Sequence, residues 1–543
     1  MKFQNIKMSQ QTGIFQAMAK PEFYPHPVMK VKQRETHISK VFLTGDYVYK
    51  IKKAVNLEFL DYTSLSKRKY YCEQETILNR RLSHDVYMGV VAITLKNGCY
   101  YLDGPGETVE YAVKMRQLPE KRSMLQLLRH RMIDRKDTEQ LALKLVDFYK
   151  QTTTGEEINS YGSLETIWAN CEENFLQTDR FSGNILNEQM YKIIRAATRS
   201  FLHRKKILFH QRIEAGKIRD CHGDLRSGHI YWVDTIQIID CIEFNERFRY
   251  SDITSDLAFL IMDLEFKGQP KIGTHLLDCY VQFADDPDVF ILINFYKCYR
   301  AIVRAKVNCL RLEDSALEQL EKSQLRKDTD LYLTLAYQYA ILFTRPTAWV
   351  ICGMVASGKS TIAKELSRKL GIGVLRSDHI RKELFGVKPD DFMDEPFEEG
   401  LYSKQASSLT YSKLLALAKE DIGNGLSVIL DATFSSKHRR NEALLLGREM
   451  DANIIFIECT SPVKVLKDRL LKREGEMGVS DARLHHLKQF KSRFEPLKEL
   501  TEEMHIRIDT QLSIKHNMME ILSHEYSRLS MALQENLKQV AKH

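Results

Sequence analysis

The chain of 543 residues is long enough for roughly two to four domains, each with a core of its own. Hydrophobic residues at 43% and charged residues at 28% are ordinary for a globular protein, and a formal charge of +8 admits anionic substrates without arguing for nucleic acid. The ten cysteines never form a C-x-x-C pair, so they offer no zinc or disulfide framework and fit reduced thiols.

No apolar run approaches the length of a membrane span, and the first residues lack the apolar core of a signal peptide. A soluble, cytoplasmic protein is expected. Residues 1–35 show no clear periodicity and carry Pro21, Pro25 and Pro27, which reads as a loose leader. Order should begin near His37. Residues 41–52 predict a hairpin turning at Thr44-Gly45-Asp46, and alternation puts Val48, Lys50 and Lys52 on one face of its second strand. A lysine there is either a solvated charge or a phosphate ligand.

Residues 66–82 predict a helix on which Glu75 shares a face with Leu78 and Leu82. An acid beside an apolar stripe needs a cation, and Lys50 is the candidate. Strands are expected over 90–95 and 111–115, and helices from about 124 to 210. Next comes Asp220-Cys-His222-Gly-Asp224-Leu-Arg-Ser-Gly-His229, then a strand running into Asp240-Cys-Ile-Glu243-Phe-Asn245. A carboxylate in a His-Gly-Asp loop can accept a hydroxyl proton, and one at a strand end can hold Mg²⁺.

Here the sequence resembles the aminoglycoside phosphotransferase and choline kinase group, an α+β protein-kinase-like fold whose signature is H-G-D-x-x-x-x-N followed by a strand ending in I-D. The resemblance implies Asp224 as catalytic base, Asp240 as Mg²⁺ ligand, Lys50 on the α/β-phosphates with Glu75 anchoring it, and Val113–Met115 at the adenine hinge. It also implies a mainly structural role for the acidic segment around Asp252 and Asp256. The sequence departs from the signature at His229, which stands where the group has its metal-binding Asn. Imidazole prefers softer metals than Mg²⁺, so His229 could ligate weakly, act through water or not ligate, with Glu243 or Asn245 to compensate.

Helices are expected over 291–310 and 331–342, and Thr344-Arg-Pro346-Thr347 breaks the pattern. The domain boundary is placed there, dividing a domain at 36–343 from one at 348–543. Residues 348–352 predict a buried strand leading into Gly353-Met-Val-Ala356-Ser357-Gly358-Lys359-Ser360-Thr361, a match to G-x-x-x-x-G-K-[ST], and a helix follows. Glycines let backbone N–H groups and a helix N-terminus converge on phosphate; Lys359 can reach the β/γ-phosphates, and the Ser360 hydroxyl can ligate Mg²⁺.

Strands and helices then alternate as in a parallel α/β sheet. Asp431 ends an apolar strand, where an acid can hold Mg²⁺ or simply cap a turn. Asp378 and Arg381 lie one helical turn apart, and Arg469 and Arg473 share a helix face that suits either solvent or a lid over a phosphoryl group. This half resembles the zeta-toxin, gluconate-kinase and polynucleotide-kinase branch of P-loop kinases, on the loop itself, Ser377-Asp378-x-x-Arg381, Leu430-Asp-Ala-Thr-Phe434 and the two lid arginines. The resemblance implies Asp378 as the base for an acceptor hydroxyl and Arg381 as an acceptor contact, with Arg439 and Arg440 as weaker candidates.

The order of the two halves resembles a bacterial family of bifunctional phosphotransferase and ATP-binding proteins. It implies ATP- and Mg²⁺-dependent phosphoryl transfer to a small-molecule hydroxyl. A non-catalytic ATP-responsive regulator, or a kinase of nucleic-acid 5′ ends, are the other readings.

Overall fold

A computed structural model describes residues 8–57, 60–315, 317–388, 400–473, 484 and 487–540. The chain forms two compact units, one drawn from residues 1–167 and 212–284, the other from residues 168–211 and 285–543.

The first unit begins with helix α1 (Met8–Met18), strands β1 (Lys32–Glu35), β2 (Ser39–Leu43) and β3 (Tyr47–Lys52), and the short pair β4 (Asn56–Leu57) and β5 (Leu60–Asp61). Helix α2 (Leu65–Arg80) and strands β6 (Tyr87–Lys96), β7 (Cys99–Leu102) and β8 (Glu107–Arg116) follow. Six of these strands make an antiparallel sheet in the order β1-β2-β3-β8-β6-β7.

From Met8 on, the segment expected to be a loose leader is instead helical and packed. Ile14, Met18 and Tyr24 are buried with Phe42, Tyr49 and Ile51, and the Gln11 amide donates to Glu110 (2.6 Å) and to the Lys52 carbonyl (3.0 Å). Gln11, Ile14 and Met18 recur at the spacing of one helix face, and the prolines all lie beyond the helix.

The expected hairpin is β2 and β3, with Gly45 at φ +105° in the turn, a left-handed value that favours glycine. Tyr49 and Ile51 fill the face covered by α1, and Val48 packs on the opposite face with Cys72, Val113 and Met115. Lys50 and Lys52 thereby share the face toward α2. Val113–Met115 lie inside β8, paired on both sides, and the strand ends only at Arg116, so the hinge position implied for them is not a connection between elements.

Helices α3 (Met124–Arg129), α4 (Arg135–Gln151), α5 (Glu156–Ser160), α6 (Leu164–Thr178), α7 (Glu188–Arg204) and α8 (Lys206–Glu214) fill the region expected to be helical. Strand β9 (Ile218–Asp220) pairs with β12 (Tyr250–Asp252), and between them β10 (Ile230–Trp232) pairs with β11 (Ile236–Ile238). Helices α9 (Ile253–Phe266) and α10 (Pro270–Ala284) follow, α9 buried on nearly every side.

In the second unit, α11 (Val289–Leu312) and α12 (Gln319–Thr344) precede a five-stranded sheet. The sheet is built by β13 (Thr347–Gly353), α13 (Lys359–Leu370), β14 (Gly373–Arg376), α14 (Ser377–Leu384), α15 (Lys404–Gly423), β15 (Val428–Asp431), α16 (Lys437–Glu449), β16 (Asn453–Thr460), α17 (Val463–Arg473), α18 (Leu487–Arg493), β17 (His505–Asp509) and α19 (Ile514–Val540). Its order is β14-β15-β13-β16-β17 and every pairing is parallel. All seven residues of β13 are buried, as a strand covered on both faces requires. Strand order runs outward both ways from β13, so the loop after it opens at the switch point where open α/β sheets place ligands. Only Arg345 and Pro346 connect α12 to β13, and the connection lies within this unit.

Candidate functional site

Residues Gly353–Thr361 make the turn from β13 into α13. Gly353, Ala356 and Gly358 take φ of +134°, +62° and +90°. A Cβ on Gly353 would lie 2.4 Å from the Cys459 carbonyl oxygen, and one on Gly358 would lie 3.1 Å from Thr510 Cβ. The motif glycines are thus required by backbone angle and by close packing together. Ser357 is buried, and its hydroxyl has no hydrogen-bond partner among the described residues. Thr361 lies in the first turn of α13 with its side chain exposed.

Lys359 curls back over the loop and donates to the carbonyls of Gly353 (3.2 Å) and Met354 (2.8 Å). Burial lowers its pKa, and Asp431, Cys459 and Asp378 oppose that only in part. Asp431 ends β15, buried, with its Oδ2 3.4 Å from Arg376 Nε. The same guanidinium donates to Ser360 Oγ at 3.4 Å. Arg376 therefore links the two residues expected to hold Mg²⁺. It was not among the expected site residues, because what places it there is register: Arg376 is the β14 partner of Asp431 on β15.

Asp378 and Arg381 are brought together at 3.4 Å, and the Arg381 guanidinium lies 4.6 Å from the Tyr402 ring centroid. Arg469 is tied down: it donates to the carbonyls of Ala356 (3.2 Å) and Thr510 (2.9 Å) and to Thr510 Oγ1 (3.0 Å). It braces the loop against the end of β17, a contact that helical periodicity cannot reveal. Arg473 ends α17, and its side chain lies outside the described residues. Arg440 is wholly buried, paired with Glu499 and donating to the Phe434 carbonyl at 2.9 Å, which removes it from the acceptor candidates. Arg439 pairs with Glu442 at 2.9 Å.

The second constellation lies in the first unit. Lys50 Nζ donates to Glu75 (2.8 Å) and to Asp240 (2.7 Å), so the pairing expected from the apolar surroundings of Glu75 is present. Glu75 also takes Lys52 (2.8 Å), and Lys52 pairs further with Glu243. Burial acts to lower the Lys50 pKa, but Asp240, Glu75 and Glu243 overcome it and hold the ammonium well above its ordinary value. Glu243 also accepts from Tyr62 (2.7 Å), and Asn245 accepts from the Arg247 amide (3.0 Å). Among the described residues Glu243 does not join the cluster of Asp224, His229 and Asp240.

Asp224 is held by Arg226 through two bonds of 2.7 Å. Burial would raise the Asp224 pKa; Arg226 and His229 outweigh it and keep the carboxyl well below its ordinary range. Asp256 accepts from the amides of His222 (2.8 Å) and Gly223 (2.9 Å) and from the Tyr149 hydroxyl (3.1 Å), so it shapes the loop that carries Asp224. Asp252 makes a buried ion pair with Arg212 at 2.8 Å. Asp240 has φ +66°, a left-handed value costly for a residue other than glycine, at the point where it meets Lys50. Tyr62 and Arg226 are not among the expected site residues, and Lys52 is expected only as sharing the face of Lys50. Lys52 carried a signal, two residues beyond Lys50 on the same face, and Arg226 stood in view inside the His-Gly-Asp segment.

The two donor sets differ. Ser360 and Asp431 offer oxygen only, which suits Mg²⁺, and the buried Ser357 hydroxyl in the adjoining loop has no partner among the described residues. The set of Asp224, His229 and Asp240, whose ligand atoms all lie within 4.8 Å of one another, includes an imidazole and suits Mg²⁺ poorly.

Residues 349–497 match the family model described as an AAA domain. Uncharacterised proteins of Mycobacterium tuberculosis and Mycobacterium bovis are each 30% identical to the chain over 465 residues, covering 84% of it and 89% of their own length. The chain belongs to their family. The family's match runs through both units, so it extends well beyond the P-loop segment alone. Among solved structures, a choline/ethanolamine kinase family protein from Mesorhizobium loti covers 60% of this chain and 99% of its own at 12% identity and a TM-score of 0.35. The APS kinase of Mycobacterium tuberculosis in complex with AMPPNP and APS covers 33% and 97% at 20% identity and a TM-score of 0.26. Likenesses at these scores carry no weight for activity. No helix among the described residues is long and apolar enough to cross a membrane.

Proposed function

We propose that this chain is an ATP- and Mg²⁺-dependent phosphotransferase that acts at the P-loop on a hydroxyl of a small molecule. The observation that carries this reading is the convergence on one loop: Lys359 lies over it, Ser360 and Asp431 meet at Arg376, and Asp378 and Arg381 stand at the start of the helix that follows β14. Lys359, whose hydrogen bonds go to two backbone carbonyls, can exchange them for phosphate oxygens. Bound Mg²⁺, held by Ser360 and Asp431, would neutralise charge on the phosphates. Asp378 accepts the acceptor's hydroxyl proton as its oxygen bonds to the γ-phosphorus and the bond to the ADP leaving group breaks. Arg381 positions the acceptor, and Arg469 keeps the loop in shape.

The His-Gly-Asp constellation is a second or regulatory nucleotide site. A regulatory role is favoured by Arg226, which occupies both oxygens of Asp224, the carboxylate that would serve as base. The decisive experiment is phosphorylation of metabolite pools by the full chain, read by mass spectrometry. A product mass raised by one phosphoryl group, lost in Lys359→Ala, supports the proposal. Tight ATP binding with no acceptor phosphorylated in any pool leaves the regulator reading in its place.

A further inference from the structure

The mismatch between Mg²⁺ and the first unit's donor set has a specific reading, because the geometry around His229 fixes the state of its ring. Nδ1 lies 2.9 Å from the Asp224 carbonyl oxygen, which can only accept, so Nδ1 carries the proton. Nε2 lies 3.2 Å from Arg226 Nη2, which can only donate, so Nε2 presents a lone pair. That lone pair sits 3.6 Å from Asp240 Oδ2, while the other oxygen of Asp240 is taken by Lys50 at 2.7 Å. A ring nitrogen that donates to a carbonyl while the other presents its lone pair is the arrangement that orients histidine toward a metal. Two donors on one ion at ordinary bond lengths stand about 3 Å apart, so 3.6 Å needs only a small closure.

We propose that His229 Nε2, Asp240 and Asp224 form a site for a divalent transition-metal ion of the Mn²⁺ or Zn²⁺ class, in preference to Mg²⁺. Charge allows it. Glu75, Glu243, Asp224 and Asp240 face Lys50, Lys52 and Arg226, and Asp263 adds a further negative charge near Arg226, so the cluster is net negative before any ion arrives. A divalent ion offsets that excess. The ion takes the Nε2 lone pair from Arg226 and shares the carboxylate oxygens. Oxygen donors alone would leave Mg²⁺ competitive; the imidazole shifts the preference along the first-row series.

A second cluster, Glu139, His275 and Cys279, could also attract thiophilic ions, so Mn²⁺, which has little affinity for thiols, is the probe. The test uses the full chain carrying Asp431→Asn, which removes the P-loop carboxylate, with no nucleotide present. The inference does not rest on phosphoryl transfer at the P-loop, and its readout is bound metal, so it stands or falls apart from ATP turnover. Mn²⁺ titration followed by electron paramagnetic resonance should show a bound ion with nitrogen coupling, displaced by Mg²⁺ only in more than about tenfold excess. In both His229→Asn and His229→Gln the nitrogen coupling should vanish and the Mn²⁺-over-Mg²⁺ preference should fall about tenfold or more. The proposal is overturned if no Mn²⁺ binds, if Mg²⁺ competes equally in the starting chain, or if coupling survives either substitution.

Discussion

The two constellations handle a lysine in opposite ways. Lys50 is clamped between Glu75 and Asp240, and its ammonium is stabilised far above its ordinary pKa. Lys359 rests on two backbone carbonyls and its pKa is lowered. In the first unit each charge expected to touch nucleotide is already matched by an opposite one: Asp224 by Arg226, Asp240 by Lys50. At the P-loop, among the described residues, the hydrogen bonds of the lysine go to neutral carbonyls and the hydroxyl of Ser357 has no partner. A lysine that donates to backbone carbonyls rather than to a carboxylate can turn to an anion that arrives without breaking an ion pair. A network of ion pairs already holds itself together and must be opened before an anion can bind. The contrast makes the P-loop the better prepared of the two sites.

This comparison can be broken most severely through Glu75, which is wholly buried and serves two lysines. Glu75→Ala leaves Lys50 and Lys52 short of a carboxylate and should cost about 3–5 kcal/mol in chemical denaturation. A loss below about 1 kcal/mol would mean that the network contributes little. His222 gives a smaller effect that depends on pH. Burial pushes its pKa down from 6.5 to about 4, so between those values the unfolded chain binds a proton that the folded chain refuses. Stability is then full above pH 6.5 and falls as pH drops toward 4, by about 3 kcal/mol in total. In His222→Gln that part of the slope should disappear from denaturation curves taken across the window.

The smallest effect sharpens the role of Arg469. Arg469→Ala removes donors to the Ala356 and Thr510 carbonyls and should cost about 1–3 kcal/mol of stability. If the arginine braces the loop, KM for ATP should rise more than kcat falls. The reverse split would make it a clamp on the phosphoryl group in flight.

Much of both sites was legible where chemistry is local in sequence. The P-loop carries its own glycine pattern, and its strand and helix lie within a few residues of it. The Lys50–Glu75 pair could be reached from the need of a buried acid for a cation. Contacts set by tertiary register were not legible. Arg376 meets Asp431 only because β14 lies beside β15 in a given register, and Arg469 reaches Ala356 because α17 and the end of β17 flank the loop. Arg440, which the resemblance to P-loop kinases offers as a weaker acceptor candidate, faces inward to Glu499. The N-terminal helix is weakly marked for a different reason: its buried stripe, Gln11, Ile14 and Met18, includes a polar residue and spans only two turns before Pro21, Pro25 and Pro27. His229 was seen as a departure from the signature, but the hydrogen bonds that set its tautomer come from Asp224 and Arg226 in three dimensions.

The central claim is that the P-loop, whose lysine is bonded only to backbone carbonyls among the described residues, transfers the phosphoryl group, and that the ion-paired His-Gly-Asp site does not. Acceptor-dependent ADP release, measured on the full chain and on its Lys359→Ala and Asp224→Asn variants with one phosphorylated acceptor in hand, tests it directly. The account predicts a loss of about 10²–10³ in kcat for Lys359→Ala and a rate within a few-fold of the parent for Asp224→Asn. Turnover that survives Lys359→Ala and collapses in Asp224→Asn would contradict it.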